Sequence, residues 1–192
     1  LDMAGRVCDA VVLHTFFSDE TTARVVNQVR RSAEKAGRDP ASVRVWSVFA
    51  TIGDHLPYLV RLKKTVGRLA TYLQVYGDLL VETNRWDPAL LKKFREAPII
   101  ANFKGWVDAY ADEDQLLQIA ELLPDEWLAP SATGSPEQCA EKILGQFDLG
   151  VDGVIMHGAT PDELEPIVKA YANIRPVGRF DHIPANPGKY RR

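Results

Sequence analysis

The chain has 192 residues, of which 46% are hydrophobic and 26% charged, with 13 glycines and 12 prolines. These proportions are those of a globular protein and exclude disordered, collagen-like and low-complexity chains. The net charge of −3 argues against a general nucleic-acid binder. No apolar run approaches the roughly 18 residues of a membrane-spanning helix. Because Cys8 and Cys139 lie far apart and no signal peptide is evident, we expect a cytoplasmic protein with reduced thiols.

The first fifty residues follow a strand, helix, strand pattern. The run DAVVLHT from Asp9 to Thr15 is apolar and β-branched, which is typical of a strand buried on both faces. Ser18 then begins a helical stretch that Gly37 ends, and VRVWSVFATI over 43–52 predicts the second strand. This order favours a parallel pair of strands.

A long helical region follows the second strand. It runs from about Leu56 to Leu123 and is far longer than an ordinary crossover. Tyr72 and Tyr76 lie four residues apart on one helix face, a spacing more typical of core packing than of cofactor contact. We expect this region to cover the body of the domain or to form a subunit contact.

The strand and helix pattern then resumes. We predict a third strand over 127–132 and a fourth over 152–157. Ser135-Pro136-Glu137-Gln138 and Thr160-Pro161-Asp162-Glu163 are both capping-box helix starts, and the second helix reaches about Ile174. Residues 176–192 are predicted to form an extended tail. Four strands, each followed by a helix, make half of a (β/α)8 barrel, whose full length is usually about 250 residues.

Candidate functional residues cluster at the predicted carboxyl ends of the strands, where ligands bind in parallel α/β folds. His14 and His157 occupy equivalent positions at the ends of the first and fourth strands. Thr133-Gly134-Ser135 precedes a capped helix that could hold a phosphate, although capping chemistry alone explains those residues as well. No metal-ligand cluster, P-loop or nucleophile elbow is present, so no metal site is predicted and the catalytic residues stay unassigned.

Several segments together resemble one family. GRVCDAVVLHTF over 5–16, KAGRDP over 35–40, and ATGSPEQCAEKILGQFDLGVDGVIMHG over 132–158 are similar to the carboxyl half of luciferase-like monooxygenases. Within that superfamily the residues most resemble the coenzyme F420-dependent oxidoreductases. The resemblance covers about residues 1–175. It implies barrel strands five to eight, with a helical insertion over about 54–124.

The resemblance also implies roles for individual residues. In that family the turn after the fifth strand holds the cofactor phosphate, which points to Leu13, His14, Thr15 and Phe16 as cofactor-binding residues. The family often has a glycine where Ala10 stands, a departure that leaves this turn intact. Phe49, Thr51 and His157 are then candidates for substrate contact. The residues that cradle the cofactor ring belong to the half of the family's barrel that this chain does not match, so the sequence does not choose between F420 and FMN.

Two interpretations of different class remain open. In the first, the chain is part of an oxidoreductase or monooxygenase that passes hydride between F420, or alternatively FMN, and a small organic substrate. In the second, it is a non-catalytic half-barrel that binds a phosphate ligand or a partner subunit. Because half a barrel leaves strand edges and an apolar sheet face uncovered, we expect it to pair with another copy or with the missing amino-terminal half.

Overall fold

A computed structural model describes residues 1–181 of the chain. Four strands, β1 (Ala10–Val12), β2 (Arg44–Gly53), β3 (Ser131–Gly134) and β4 (Gly153–His157), form one sheet in which every pair is parallel. The helices are α1 (Asp2–Val7), α2 (Asp19–Lys35), α3 (Tyr58–Leu62), α4 (Arg68–Asn84), α5 (Pro88–Glu96), α6 (Pro98–Ala101), α7 (Val107–Tyr110), α8 (Glu113–Ala120), α9 (Asp125–Leu128), α10 (Pro136–Asp148) and α11 (Pro161–Ile174). The predicted parallel α/β class is confirmed. Of the tail predicted over 176–192, residues 182–192 lie outside the described residues.

β2 is the central strand and contacts all three others. Trp46 pairs with Val12 of β1 and with Gly153 of β4, so these two strands flank β2 on opposite edges. Further along β2, Ala50 pairs with Ser131 of β3 on one side and with His157 of β4 on the other. β3 therefore lies on the same edge of β2 as β1, beyond the end of β1. In four consecutive barrel strands the third would lie between the second and the fourth. Here β1, β2 and β4 are neighbours, and β3 lengthens the sheet at the carboxyl end of β2.

The third strand begins four residues later than predicted. The segment that starts at Trp127 was expected to be extended, but Trp127 lies in the short helix α9 and β3 begins at Ser131. Trp127 is fully buried and stacks on Trp86 with ring centroids 5.0 Å apart. A short apolar run suits a buried helix turn as well as a strand, and here the aromatic stacking inside the insertion decides between them.

The two faces of the sheet have different surroundings. Val45 and Val154 belong to the face that packs against α2, α10 and α11. On the opposite face, Val12 is 61% exposed and Ile155 is 40% exposed. An exposed apolar sheet face was expected for half a barrel, and the structure shows one. This face ends at the candidate site described below.

Helices α3 to α9 form the insertion between β2 and β3, over Tyr58–Leu128. The insertion has a core of its own, formed by Leu69, Leu73, Leu80, Phe94, Leu116, Ile119 and Trp127. Phe16, Ala50 and Ile52 belong to the same cluster. The insertion is therefore packed onto the carboxyl end of the sheet.

Local sequence signals account for the ends of several helices. Both predicted capping boxes are present: Ser135 pairs reciprocally with Gln138, and Thr160 with Glu163. Gly37, just after the carboxyl end of α2, has a φ of 74°, the left-handed conformation that commonly ends a helix and that glycine adopts easily. Within residues 1–181, no helix is both long and apolar enough to cross a bilayer.

Candidate functional site

The site lies where β1 and β4 end, under helix α4. His14 follows β1, His157 ends β4, and the Tyr72 ring lies near both. The ring centroid of Tyr72 is 5.3 Å from that of His14 and 6.4 Å from that of His157. The two histidines expected at one edge of the sheet therefore share a single aromatic neighbour.

Three side chains of α4 form one stripe along this edge, which we call the α4 stripe. Arg68, Tyr72 and Tyr76 are spaced four residues apart, so they lie on one helix face. Tyr76 is 47% exposed, and its ring centroid is 5.8 Å from that of His14. Core packing was expected for the tyrosine pair. Tyr72 packs against the core of the insertion as expected, whereas Tyr76 is exposed, and Arg68 lies one turn before them on the same stripe.

The backbone of this helix departs from α geometry on both sides of Tyr72. Residues Lys63–Gly67 form a π-helical turn immediately before α4, and Tyr76 has φ −120° and ψ 17° inside it. Turns of π geometry within helices occur frequently at functional sites.

His157 is a neutral side chain with an available ring nitrogen. Burial lowers the pKa of His157, and electrostatic interactions with Arg68 and His14 lower it further. Its Nδ1 is buried and has no hydrogen-bond partner among residues 1–181. Arg68 itself pairs with Asp108, at 3.1 Å between nitrogen and oxygen. A neutral imidazole with an unused nitrogen is suited to bind a polar atom of a ligand.

The turn after β1 contains the four predicted cofactor residues. Leu13 is buried and donates its amide to the Trp46 carbonyl at 2.8 Å, while His14 Nδ1 lies 2.9 Å from the Thr15 carbonyl oxygen. Phe16 has φ 64°, an uncommon conformation for a residue other than glycine, although it is only 1% exposed. Such backbone outliers concentrate at functional sites.

Several donors of this turn are free. In the described part of the chain, the amides of Thr15 and Phe16 donate to no backbone or side-chain acceptor, and the Thr15 hydroxyl has no partner. Residues 15 and 16 form a turn that the Phe17 amide closes. α2 begins directly afterwards, with Ser18 as its N-cap. Free amides beside a helix start suit an anionic ligand such as a phosphate.

The candidate substrate residues on β2 are buried. Phe49 packs with Cys139, Ile143 and Ile167 on the helix-covered face of the sheet. Thr51 is fully buried, and its hydroxyl donates to the Phe49 carbonyl at 2.9 Å. The role suggested for these two residues in substrate binding stays a prediction.

Capping explains the segment before α10. The Ser135 amide donates to Gln138 Oε1 at 2.9 Å, and the Gly134 carbonyl accepts from the Asp54 amide at 2.8 Å. Hydrogen bonds from its own amide and from the Ser135 hydroxyl lower the pKa of Glu137, which keeps a negative charge at this helix start. Capping therefore accounts for the polar groups of this segment.

A lysine of the insertion holds the loop that follows β4. Lys64 Nζ donates to the Gly158 carbonyl at 2.7 Å and pairs with Glu163 at 2.9 Å. Hydrogen bonds from the Thr160 amide and from Lys64 lower the pKa of Glu163. The loop beside His157 is therefore attached to the π-helical turn of the insertion.

Residues 1–153 match the luciferase-like monooxygenase family, which is most of the chain. The chain belongs to this family. A coenzyme F420-dependent tetrahydromethanopterin reductase from Methanopyrus kandleri aligns with 86% of this chain at 17% identity, with a TM-score of 0.60. An EDTA monooxygenase from Chelativorans sp. BNC1 aligns with 90% of it at 21% identity, with a TM-score of 0.48.

The chain spans less than half the length of these two structures, 44% of the reductase and 40% of the monooxygenase. At 17% identity, the likeness to the reductase concerns the fold. Family membership and this likeness confirm the predicted part-barrel of a luciferase-like protein with a helical insertion.

Proposed function

We propose that this chain is the carboxyl-terminal part of a luciferase-like oxidoreductase that uses coenzyme F420, or alternatively FMN, with a small organic substrate. The free donors of the turn after β1, next to the His14, Tyr72 and His157 rings, carry this proposal. The bound cofactor would supply the hydride chemistry, and the protein would supply position and electrostatics. The neighbouring reductase named above is F420-dependent, which supports F420 as the first choice.

The residues of the turn fit a phosphate-bearing cofactor. Leu13 anchors the turn to β2, Thr15 and Phe16 offer free backbone amides and a hydroxyl to the phosphate, and the His14 ring lies beside them. The apolar sheet face below the turn is open to a planar ring. We propose that this face, together with the amino-terminal half of a complete barrel, encloses the ring system.

His157 is the best-placed residue for substrate contact. It is neutral, its Nδ1 is unused within residues 1–181, and its ring is stacked beside Tyr72. We propose that His157 donates or accepts one hydrogen bond from a polar substrate atom. Substrate contact by Phe49 and Thr51 stays a prediction, and both side chains are buried on β2 beside this site.

The test is to measure the dissociation constants of F420, FMN and riboflavin by fluorescence or calorimetry. Riboflavin carries the ring of FMN without the phosphate, so it isolates the contribution of the turn. We expect FMN to bind at least about tenfold more tightly than riboflavin, since charge-assisted hydrogen bonds to a phosphate contribute more than 1 kcal/mol. Equal affinities for FMN and riboflavin would refute the phosphate site.

The second interpretation, a non-catalytic half-barrel, is favoured by one observation, the exposed sheet face around Val12 and Ile155. In either case this face would be covered by another copy or by the rest of the barrel. Intact mass, compared with the length of the encoding reading frame, separates a fragment from a natural module. A purely monomeric species by light scattering at micromolar concentration would argue against pairing between copies.

A further inference from the structure

We propose that Asn84, at the end of α4, is a positioning residue that holds the turn after β1 in its phosphate-binding conformation. This inference rests on the proposed function of that turn. It assigns to the insertion a role in cofactor binding that is distinct from the aromatic contacts of the α4 stripe.

The Asn84 side chain contacts the turn on both sides of Phe17. Its Nδ2 donates to the Phe16 carbonyl at 2.9 Å, and its Oδ1 accepts from the Ser18 amide at 3.0 Å. Asn84 is only 9% exposed, and it lies 68 and 66 residues along the chain from these partners. Both functional groups of one buried amide are therefore used to connect the insertion to the turn.

The turn needs such a partner because of Phe16. Its φ of 64° is disfavoured for a side chain with a Cβ, and local sequence does not select it. The Phe16 ring packs against Tyr72 with centroids 5.8 Å apart, so the position serves the core as well as the turn. A glycine would adopt this backbone easily but would leave that space empty. The hydrogen bond from Asn84 fixes the Phe16 peptide instead.

A second set of contacts keeps α4 and α2 together without Asn84. The Thr83 carbonyl accepts from Thr21 Oγ1 at 3.3 Å and also from the Arg24 guanidinium. These bonds do not involve the Asn84 side chain. Replacing that side chain should therefore change the turn while α4 stays attached to α2.

The Asn84→Asp variant tests this role. A carboxylate still accepts from the Ser18 amide, but it donates nothing to the Phe16 carbonyl and it repels a nearby phosphate. The matched control is Asn102→Asp, because Asn102 Nδ2 also donates to a backbone carbonyl, that of Pro98 at 2.9 Å, but at an exposed position. The readout is the ratio of the riboflavin dissociation constant to the FMN dissociation constant, measured with thermal midpoints for every variant.

We expect this ratio to fall by on the order of tenfold in Asn84→Asp, since one buried hydrogen bond and one repulsion are involved. Riboflavin affinity should stay near the wild-type value, and Asn102→Asp should leave the ratio unchanged. If Asn84→Asp fails to fold, Asn84→Ala removes the donor without adding a charge and is scored by the same ratio, with a smaller fall expected.

The possible outcomes separate the role of Asn84 from the proposed phosphate binding on which it rests. A wild-type chain with no preference for FMN over riboflavin refutes the phosphate turn itself. A wild-type preference that Asn84→Asp and Asn84→Ala both retain refutes the positioning role alone. Equal weakening of both ligands would show that Asn84 supports only the general fold, and this also overturns the inference.

Discussion

Asp152, at the entry of β4, should contribute more to stability than any exposed charge of the chain. Its Oδ2 accepts from Arg30 at 2.7 Å and from the Val45 amide at 2.7 Å, while its own amide donates to the Val45 carbonyl at 2.8 Å. The side chains of Arg30 and Asp152 are each only 21% exposed. One carboxylate thus attaches β4 both to β2 and to α2.

The Asp152→Asn substitution keeps the shape of the side chain and removes its charge. Hydrogen bonds to charged groups contribute about 1.5–3 kcal/mol and neutral ones about 0.5–1.5 kcal/mol, so weakening two of them at a partly exposed site should cost about 1–2 kcal/mol. For a chain of this size that corresponds to a fall of about 2–8 °C in the melting midpoint.

The assay is urea unfolding followed by tryptophan fluorescence, with Asp148→Asn as the matched control. Asp148 pairs with Arg179 at 2.7 Å, but its side chain is 65% exposed, so the control should change stability by less than about 0.5 kcal/mol. Unfolding of Asp152→Asn and Asp148→Asn at the same urea concentration would refute this role of Asp152.

Two further predictions concern the sheet and the site. Gly153→Ala should destabilise the fold by about 1–3 kcal/mol, because a Cβ there would collide with the Trp46 ring, whereas Gly145→Ala on the open side of α10 should stabilise it by about 0.5–1 kcal/mol. Thermal melts of both variants check this pair, and equal midpoints would contradict it. The pKa of His157 lies below the ordinary value of about 6.5, so the unfolded chain binds more protons than the folded one just below that pH, and stability falls as the pH decreases. Between pH 7.5 and 5.5 the His157→Gln variant should lose less stability than the wild type. Parallel stability profiles of the two proteins over this range would contradict the prediction.

The elements that local patterns specify could be predicted from the sequence. Apolar β-branched runs indicated β1, β2 and β4, and reciprocal capping residues indicated the starts of α10 and α11. The place of β3 could not be predicted, because Trp127 is held in a helix turn by its stacking on Trp86, 41 residues away along the chain. No pattern around residue 127 contains that information.

Only part of the candidate site could be predicted from the sequence, because the rest depends on contacts between distant segments. His14 and His157 follow recognisable strands, so the topology of parallel sheets was enough to bring them to one edge. Tyr72 and Asn84 belong to a long amphipathic helix, and sequence spacing cannot tell which neighbour such a helix will cover. Their roles depend on how the insertion packs over the sheet, which is set by its whole core.

The motifs that carry the family resemblance include Leu13 to Phe16 and His157, but other residues of the same motifs lie at the opposite end of the strands. Arg38 donates to the Gly5 and Cys8 carbonyls, and Asp152 connects β4 to β2, both on the entry side of the strands. In parallel α/β barrels that side supports stability, while ligands bind at the opposite end. The site end contains instead the α4 stripe and Asn84, from the insertion. The motifs therefore specify the frame of the sheet and the turn after β1, whereas the contacts that the α4 stripe and Asn84 make with this turn depend on how the insertion packs.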